Sequence, residues 1–452
     1  MKPRIDPASE KNQQSLFDAG APLLLEFIDK KHELVKLADC IEWETFERYW
    51  RKQFSDAGGQ MASSGRRVAG LLMIQHMEKL SDEGLVAQWV LNPYYQYFCG
   101  EVHFQHRQPI NPATLVKWRK RLGEEGMEWM LTAVLESAVK CGALEARSLA
   151  HVCVDSTVME KNIAYPTDSG LLEKLRKKMV EFMKKHELSI RQSYSRKGPR
   201  LAQQVGRYAH AKQFKRMRKA LKKQSNWVGR LQRELARQLD GIADNATKEH
   251  AENFIDLAKR LISQTRNPKQ KDKIYALHEQ DVDCISKGKA RKRYEFGVKV
   301  GIVCTQKEGF VLGMRSYSGN PYDGHTLDDM LCQAEIISGV KAKTAAVDLG
   351  YRGRHETKVK VIHRGKKLSN RDKERLRRRS MLEAMIGHMK NEGSLERCPL
   401  KGKEGDSIHA VLSGIGHNLR LMRAHWRALL FWLLKMCHQY TSKPLGLRKV
   451  SI

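Results

Sequence analysis

Two short apolar runs, each broken by an aspartate, constrain this chain most: "HVCVDST" at 151–157 and "KTAAVDLGY" at 343–351. A short apolar run between turn signals reads as a buried strand. In open α/β sheets such strands present their C-terminal ends at a crevice where ligands bind. Asp155 and Asp348 are therefore expected to end their strands at the rim of a sheet. If the two strands are neighbours, the carboxylates come within reach of a shared cation.

The segments around them supply the rest of that sheet. "RYEFGVKVGIVCT" and "GFVLGMRSYSGN" read as a hairpin turning at "QKEG". A helix follows over "GHTLDDMLCQAEIIS", with Thr326 or His325 near its start, then an alternating strand "TKVKVIH" and a helix over 371–391. Between the first strand and the hairpin lies a helical, Lys- and Arg-dense block, insertion-like over about 169–290. The order strand, helical block, strand, strand, helix, strand, strand, helix predicts a mixed α/β sheet interrupted after its first strand. The expected divisions are a lead-in over 1–34, a helical domain over 35–140 and the sheet domain over 145–440.

The helical domain shows its own signals. "NPATLVKWRKRLGEEGMEWML" opens with Asn111 as N-cap and Pro112 at the first helical position. Its basic face, Lys117, Arg119, Lys120 and Arg121, is expected to lie along DNA, as in a helix-turn-helix arrangement. The bland alternative is a helical bundle with a solvated charged face.

Net charge points the same way. Lys and Arg outnumber Asp and Glu by 31, and such a surface needs a polyanion, of which nucleic acid phosphate is the leading candidate. A membrane surface is the rival, but the most apolar run, "ALLFWLL" at 428–434, falls far short of the roughly 20 residues that span a bilayer. It is expected to be a C-terminal packing helix. The N-terminus shows no apolar signal region. Nine dispersed cysteines without a CxxC pair read as reduced thiols and argue against a zinc ribbon. The expected location is a cytoplasm.

A third acid stands out in "RDKERLRRRSMLEAMIGHMKNEG". At about 100° per residue, Leu382, Met385, Ile386 and Met389 form an apolar stripe, and Arg379, Glu383 and Lys390 fall within roughly 40° of one another beside it. Three carboxylates close together repel unless a cation joins them. Hard divalent ions take such oxygen ligands, and a pair roughly 4 Å apart serves phosphoryl transfer. An ordinary i, i+4 Arg379–Glu383 surface pair accounts for the same spacing.

Taken jointly, three segments resemble the DDE insertion-sequence transposases, in particular the InsH-like (IS-five) group with an RNase H-like catalytic domain. "VDSTVMEKNIAYPTDSGLL" resembles the first-Asp motif and its following run, "AAVDLGYRG" the second-Asp motif, and "RRRSMLEAMIGHMK" the R-x3-E-x6-K pattern at Arg379, Glu383 and Lys390. "LSDEGLVAQWVLNPYYQYFCG" is similar to the helical domain that precedes catalysis, and "GDSIHAVLSGIGHNLRLM" to the usual ending. The wider pattern carries a Tyr three residues before the Arg. This chain has Leu376 there, which puts in question any phosphate contact or stacking by a Tyr, though not metal binding.

The resemblance covers roughly residues 20–430. It implies cut-and-paste movement of a DNA element: recognition of the terminal repeats, hydrolysis that frees a 3′ hydroxyl, and attack of that hydroxyl on target DNA. It implies that Asp155, Asp348 and Glu383 hold two Mg²⁺ (or Mn²⁺) ions and that Arg379 and Lys390 clamp phosphates. It further implies double-stranded DNA as partner and a homodimer in the DNA complex, with no membrane partner. The alternatives are a non-catalytic DNA-binding protein derived from a transposase and a metal-dependent nuclease without strand transfer.

Other residues have plainer readings. Asp168 is expected to N-cap a helix starting at about Ser169. His325 is expected in a helix-start hydrogen bond. His388 and His417 lack a partner at zinc-ligand spacing. Tyr94, Tyr95 and Tyr97 are expected in a core beside Trp89.

Overall fold

The computed structural model describes residues 22–52, 63–286, 293–353, 358–365 and 368–441, with side chains described up to residue 428. The chain divides into two compact units, residues 1–160 with 298–452, and residues 161–297.

In the first unit, seven α-helices precede the sheet among the described residues: α1 (Leu24–Phe27), α2 (Glu33–Cys40), α3 (Trp43–Arg51), α4 (Gly65–Met77), α5 (Asp82–Leu91), α6 (Pro93–Phe98) and α7 (Pro112–Lys140). Their starts follow local chemistry. The Ser81 hydroxyl accepts from Gly84 N at α5, and Asn111 Oδ1 accepts from Ala113 N at α7, with Pro112 next in line. Gly123, at φ +61°, kinks α7 after its first three turns. Tyr95 is buried, Tyr94 stacks on His32, and the Tyr97 hydroxyl donates to Asp39, so this aromatic cluster packs rather than protrudes.

The sheet follows: β1 (His151–Lys161), β3 (Tyr294–Thr305), β4 (Val311–Tyr317), β5 (Thr344–Ala346), β6 (Lys360–Ile362) and β7 (Arg397–Cys398), with β2 (Asp283–Ser286) in the other unit. Strand order is β3-β1-β5-β6, with β4 on β3 and β7 on β1. β1, β5 and β6 are parallel, and β3 and β4 form an antiparallel hairpin. Helix α12 (Asp323–Ser338) connects β4 to β5, α13 (Asn370–Asn391) follows β6, and α14 (Gly402–Thr441) closes the unit. This is the mixed α/β architecture of an RNase H-like domain with helices before it. β2 and β7, short and lacking an apolar run, escaped the sequence reading.

One expectation is corrected. Asp155 does not end its strand, because β1 continues six residues further, through the buried Thr157, Val158 and Met159. The acid interrupts the apolar run without ending the strand: Thr157 is accommodated inside the sheet, and β7 pairs with the strand's far end, where Glu160 N donates to Glu396 O at 3.1 Å.

Helix α14 lies against α4, α7 and β4. A Cβ at Gly416 would collide with the His76 carbonyl oxygen, so α4 and α14 meet backbone to backbone there. Two residues on, the buried Asn418 both accepts from Val311 N (2.8 Å) and donates to Val311 O (2.9 Å), satisfying the β4 backbone as a neighbouring strand would. The run expected to pack at the C-terminus lies on α14, beyond the described side chains.

In the second unit, α8 (Asp168–Lys185), α10 (Phe214–Arg237) and α11 (Asn245–Arg266) enclose a core of Leu172, Leu175, Met179, Val228, Leu231, Ala258 and Leu261, while α9 (Lys197–His210) packs Leu201 and Val205 against Ala220 and Trp227 of α10. β2 pairs antiparallel with the first residues of β3. The cap of α8 is Thr167, whose hydroxyl accepts from Gly170 N. Asp168 instead begins the helix and accepts from Gln264 Nε2 at 2.9 Å.

Candidate active site

The β1–β5 register sets the site. Cys153 pairs with Ala346; Asp155 lies two residues further along β1, and Asp348 two residues past the end of β5, as N-cap of the turn that follows. Both carboxylates are anchored in the same manner. Asp155 Oδ1 accepts from Ser156 N at 2.8 Å, and Asp348 Oδ1 accepts from Gly350 N at 2.8 Å. In each case the other oxygen turns to Arg379 Nη2, at 3.0 Å from Asp155 Oδ2 and 3.8 Å from Asp348 Oδ2. A Cβ at residue 350 would meet Asp348 Oδ1 at 3.0 Å and Asp323 Oδ2 at 3.2 Å, which is why a glycine follows the second aspartate in "DLGY".

Arg379 comes from α13, whose N-cap Ser369 accepts from Asp372 N. Leu382, Met385 and Met389 bury the apolar stripe against Val300, Ile302, Cys304 and Met314 of the sheet. Leu376, at the position where related patterns carry Tyr, joins that cluster and is partly buried, so its side chain serves packing. The i, i+4 surface pair is not what places the acid here: Arg379 reaches across to Asp155, and Glu383, one turn further along, is exposed. Lys390 Nζ donates to the Val158 carbonyl at 2.7 Å, tying the other end of α13 to β1.

Thus the structure brings Asp155 and Asp348 together and leaves Glu383 on the same face of the helix that carries their counter-ion. Among the described residues, no three His, Cys, Asp or Glu side chains are gathered closely enough to hold a metal ion. The donor chemistry nevertheless fits a hard cation. Two carboxylate oxygens converge on one cationic group, and carboxylate oxygens are the ligands a hard divalent ion takes.

Sequence reasoning missed Asp323. Its Oδ1 accepts from the Ser156 hydroxyl at 2.9 Å and pairs with Lys299 Nζ at 3.0 Å. It begins α12, one residue before the expected helix, and its sequence signal is the acid in "YDGH". Burial of Tyr351, together with the negative charges of Asp323, Asp155 and Asp348 around it, raises that hydroxyl's pKa well above the ordinary tyrosine range.

The expected DNA-facing residues of α7 divide. Lys117, Lys120 and Arg121 are exposed. Arg119 is corrected: it is buried, donates to Asp82 Oδ1 at 2.9 Å and to Gln75 Oε1 at 3.1 Å, and its charge is neutralised inside the bundle. It falls one helical position inward of its basic neighbours, next to the buried Trp118. His388 pairs with Glu392, and His417 is buried with Nε2 at 3.2 Å from the Gly309 carbonyl. His325 sits inside the first turn of α12, ring edge to Tyr322.

No helix among the described residues is long and apolar enough to cross a membrane. Residues 22–121 match a transposase domain of the DUF772 family, and residues 336–423 match a transposase DDE domain. A Rhizobium meliloti protein named as uncharacterized protein ORF8 in the nfe locus is 41% identical over 208 residues, covering 46% of this chain and 98% of that protein. No solved structure matches. The second match spans Asp348, Arg379, Glu383 and Lys390, the first spans the helical region before the sheet as far as the first part of α7, Asp155 lies between the two, and the chain belongs to the DDE transposases.

Proposed function

We propose that this transposase moves an insertion sequence by cut-and-paste chemistry, as the InsH-like resemblance implies, with Asp155, Asp348 and Glu383 as its catalytic acids. The observation that carries this reading is the convergence of Asp155 and Asp348 on one Arg379 nitrogen. The two aspartates would hold a divalent ion, Mg²⁺ or Mn²⁺, with Glu383 supplying the third carboxylate. When bound, a pair of such ions stabilises the attacking and leaving oxygens of an in-line phosphoryl displacement.

The chain's own residues then have distinct tasks. Ser156 N and Gly350 N fix one oxygen of each aspartate, so the other is presented toward the cleft without loss of rotamer freedom during reaction. Arg379 neutralises the aspartates in the free protein and lies where it can fork onto a phosphate once a cation replaces it. Lys390 holds α13 to β1 and thereby the position of Glu383. Water attacks phosphorus at the element end and the P–O3′ bond breaks, leaving a 3′ hydroxyl. That oxygen attacks a target phosphodiester and displaces its O3′. Two ends must be held together, so the DNA complex is proposed to be a homodimer.

The test is incubation of the purified chain with DNA from the flanks of its own coding region, with Mg²⁺ or Mn²⁺ and a target plasmid. Cleavage followed by joining supports the proposal. Binding without cleavage selects a non-catalytic DNA-binding protein, and cleavage without joining selects a nuclease.

A further inference from the structure

The second unit, residues 161–297, carries 34 Lys and Arg against 15 Asp and Glu, a surplus of 19 out of the chain's 31. The surplus is concentrated. Between Glu187 and Glu234 there are fourteen Lys and Arg and no acid. All fourteen are exposed, and among the described residues none of them is in an ion pair. A solvated helix surface usually interleaves both signs, which lowers its self-repulsion. This one does not, and folding alone gives no reason for it.

The cations are also ordered. On α10, Lys215, Lys219, Lys222, Asn226, Arg230 and Arg233 fall within about 80° of one another, a stripe about 27 Å long. The opposite face, with Ala220, Trp227, Val228, Leu231 and Leu235, is buried in the unit's cores. Since the apolar side is already used, the helix has no face left to insert into a lipid surface. The stripe ends in a groove of about 630 Å³, where Arg230 and Arg233 of α10 oppose Lys259 and Arg266 of α11. The buried Ser225 Oγ, without a hydrogen-bond partner, lies in its wall.

We propose that the α10 stripe and the α10–α11 groove form a DNA-backbone contact surface separate from the catalytic acids, gripping duplex phosphates without reading sequence. This rests on the transposase reading and adds where the protein holds DNA. A 27 Å stripe matches about eight base pairs at 3.4 Å each. The groove supplies four cations to a phosphate at its end.

The experiment uses the full chain and a random-sequence 30-base-pair duplex, with affinity measured by fluorescence anisotropy from about 50 to 300 mM salt. The variant Lys219→Gln/Lys222→Gln/Arg230→Gln/Arg233→Gln alters only exposed side chains, and its unfolding midpoint should equal that of the native chain. Removing four phosphate contacts should flatten the slope of log K against log salt by about 3 to 4, with affinity at physiological salt falling at least tenfold. An unchanged slope in the variant overturns the surface while leaving the transposase reading standing. Failure of the native chain to bind any duplex overturns both. Loss by the variant of binding to anionic phospholipid vesicles or to single-stranded RNA, with duplex binding intact, overturns the proposal in favour of that other polyanion.

Discussion

Asp155 and Asp348 each give one carboxylate oxygen to the same nitrogen of Arg379, at 3.0 and 3.8 Å, while a backbone N–H holds the other. Two like charges so close are tolerated because one guanidinium serves both. The arrangement leaves the pair poised to exchange a protein cation for a metal cation.

Arg379→Gln should therefore destabilise the metal-free protein by about 2 to 3 kcal/mol, since it strips the counter-ion from two part-buried carboxylates. Millimolar Mg²⁺ should recover more stability in the variant than it adds to the native chain, because only in the variant does the cation meet an uncompensated pair. Thermal unfolding with and without Mg²⁺ reads both effects. Equal Mg²⁺ responses in the two proteins would count against a cation at these acids.

On α7, neighbouring basic residues should behave oppositely. Arg119→Met removes the partner of Asp82 inside the bundle and should cost about 3 kcal/mol. Lys117→Ala/Lys120→Ala should leave the unfolding midpoint unchanged and reduce the salt slope of duplex binding by about 2. Urea unfolding and anisotropy separate the cases. Weakened DNA binding by a still-folded Arg119→Met, without any loss of stability, would reverse the assignment.

That division shows what the sequence could and could not reveal. The pairing of Asp155 with Asp348 was legible because both follow apolar runs whose parallel register brings them level. The face of Glu383 was legible from helical periodicity. The inward turn of Arg119 was not, because it depends on Asp82, an acid 37 residues away on another helix. Asp323 was hidden for the same reason: what marks it is contact with Ser156 and Lys299, which local spacing does not encode. The length of β1 was misjudged because Asp155 breaks the apolar run, although the strand continues beyond it through Thr157, Val158 and Met159.

Stability should fall on mild acidification. Burial lowers the His417 pKa to about 4, and neighbouring Arg420 adds to the effect. The folded state thus refuses a proton that the unfolded chain accepts near pH 6.5, and stability declines as pH drops through the window from 6.5 to 4. The expected loss between pH 7.5 and 5 is about 2 kcal/mol from this residue. Urea midpoints across that range check it. His417→Gln, keeping a donor to the Gly309 carbonyl, should flatten the profile, and an equally steep profile in the variant would assign the dependence elsewhere.

We propose that Asp155, Asp348 and Glu383 perform the DNA chemistry while other surfaces bind the DNA. The most direct test is the single-turnover rate of strand cleavage at the element end for Asp155→Asn, Asp348→Asn and Glu383→Gln, with duplex affinity measured in parallel. Each substitution should lower the rate by at least about a thousandfold, roughly 4 kcal/mol of barrier, with affinity within about threefold of the native chain. Cleavage at near-native rate in any of the three would remove that acid from the catalytic set, and near-native rates in all three would contradict the account.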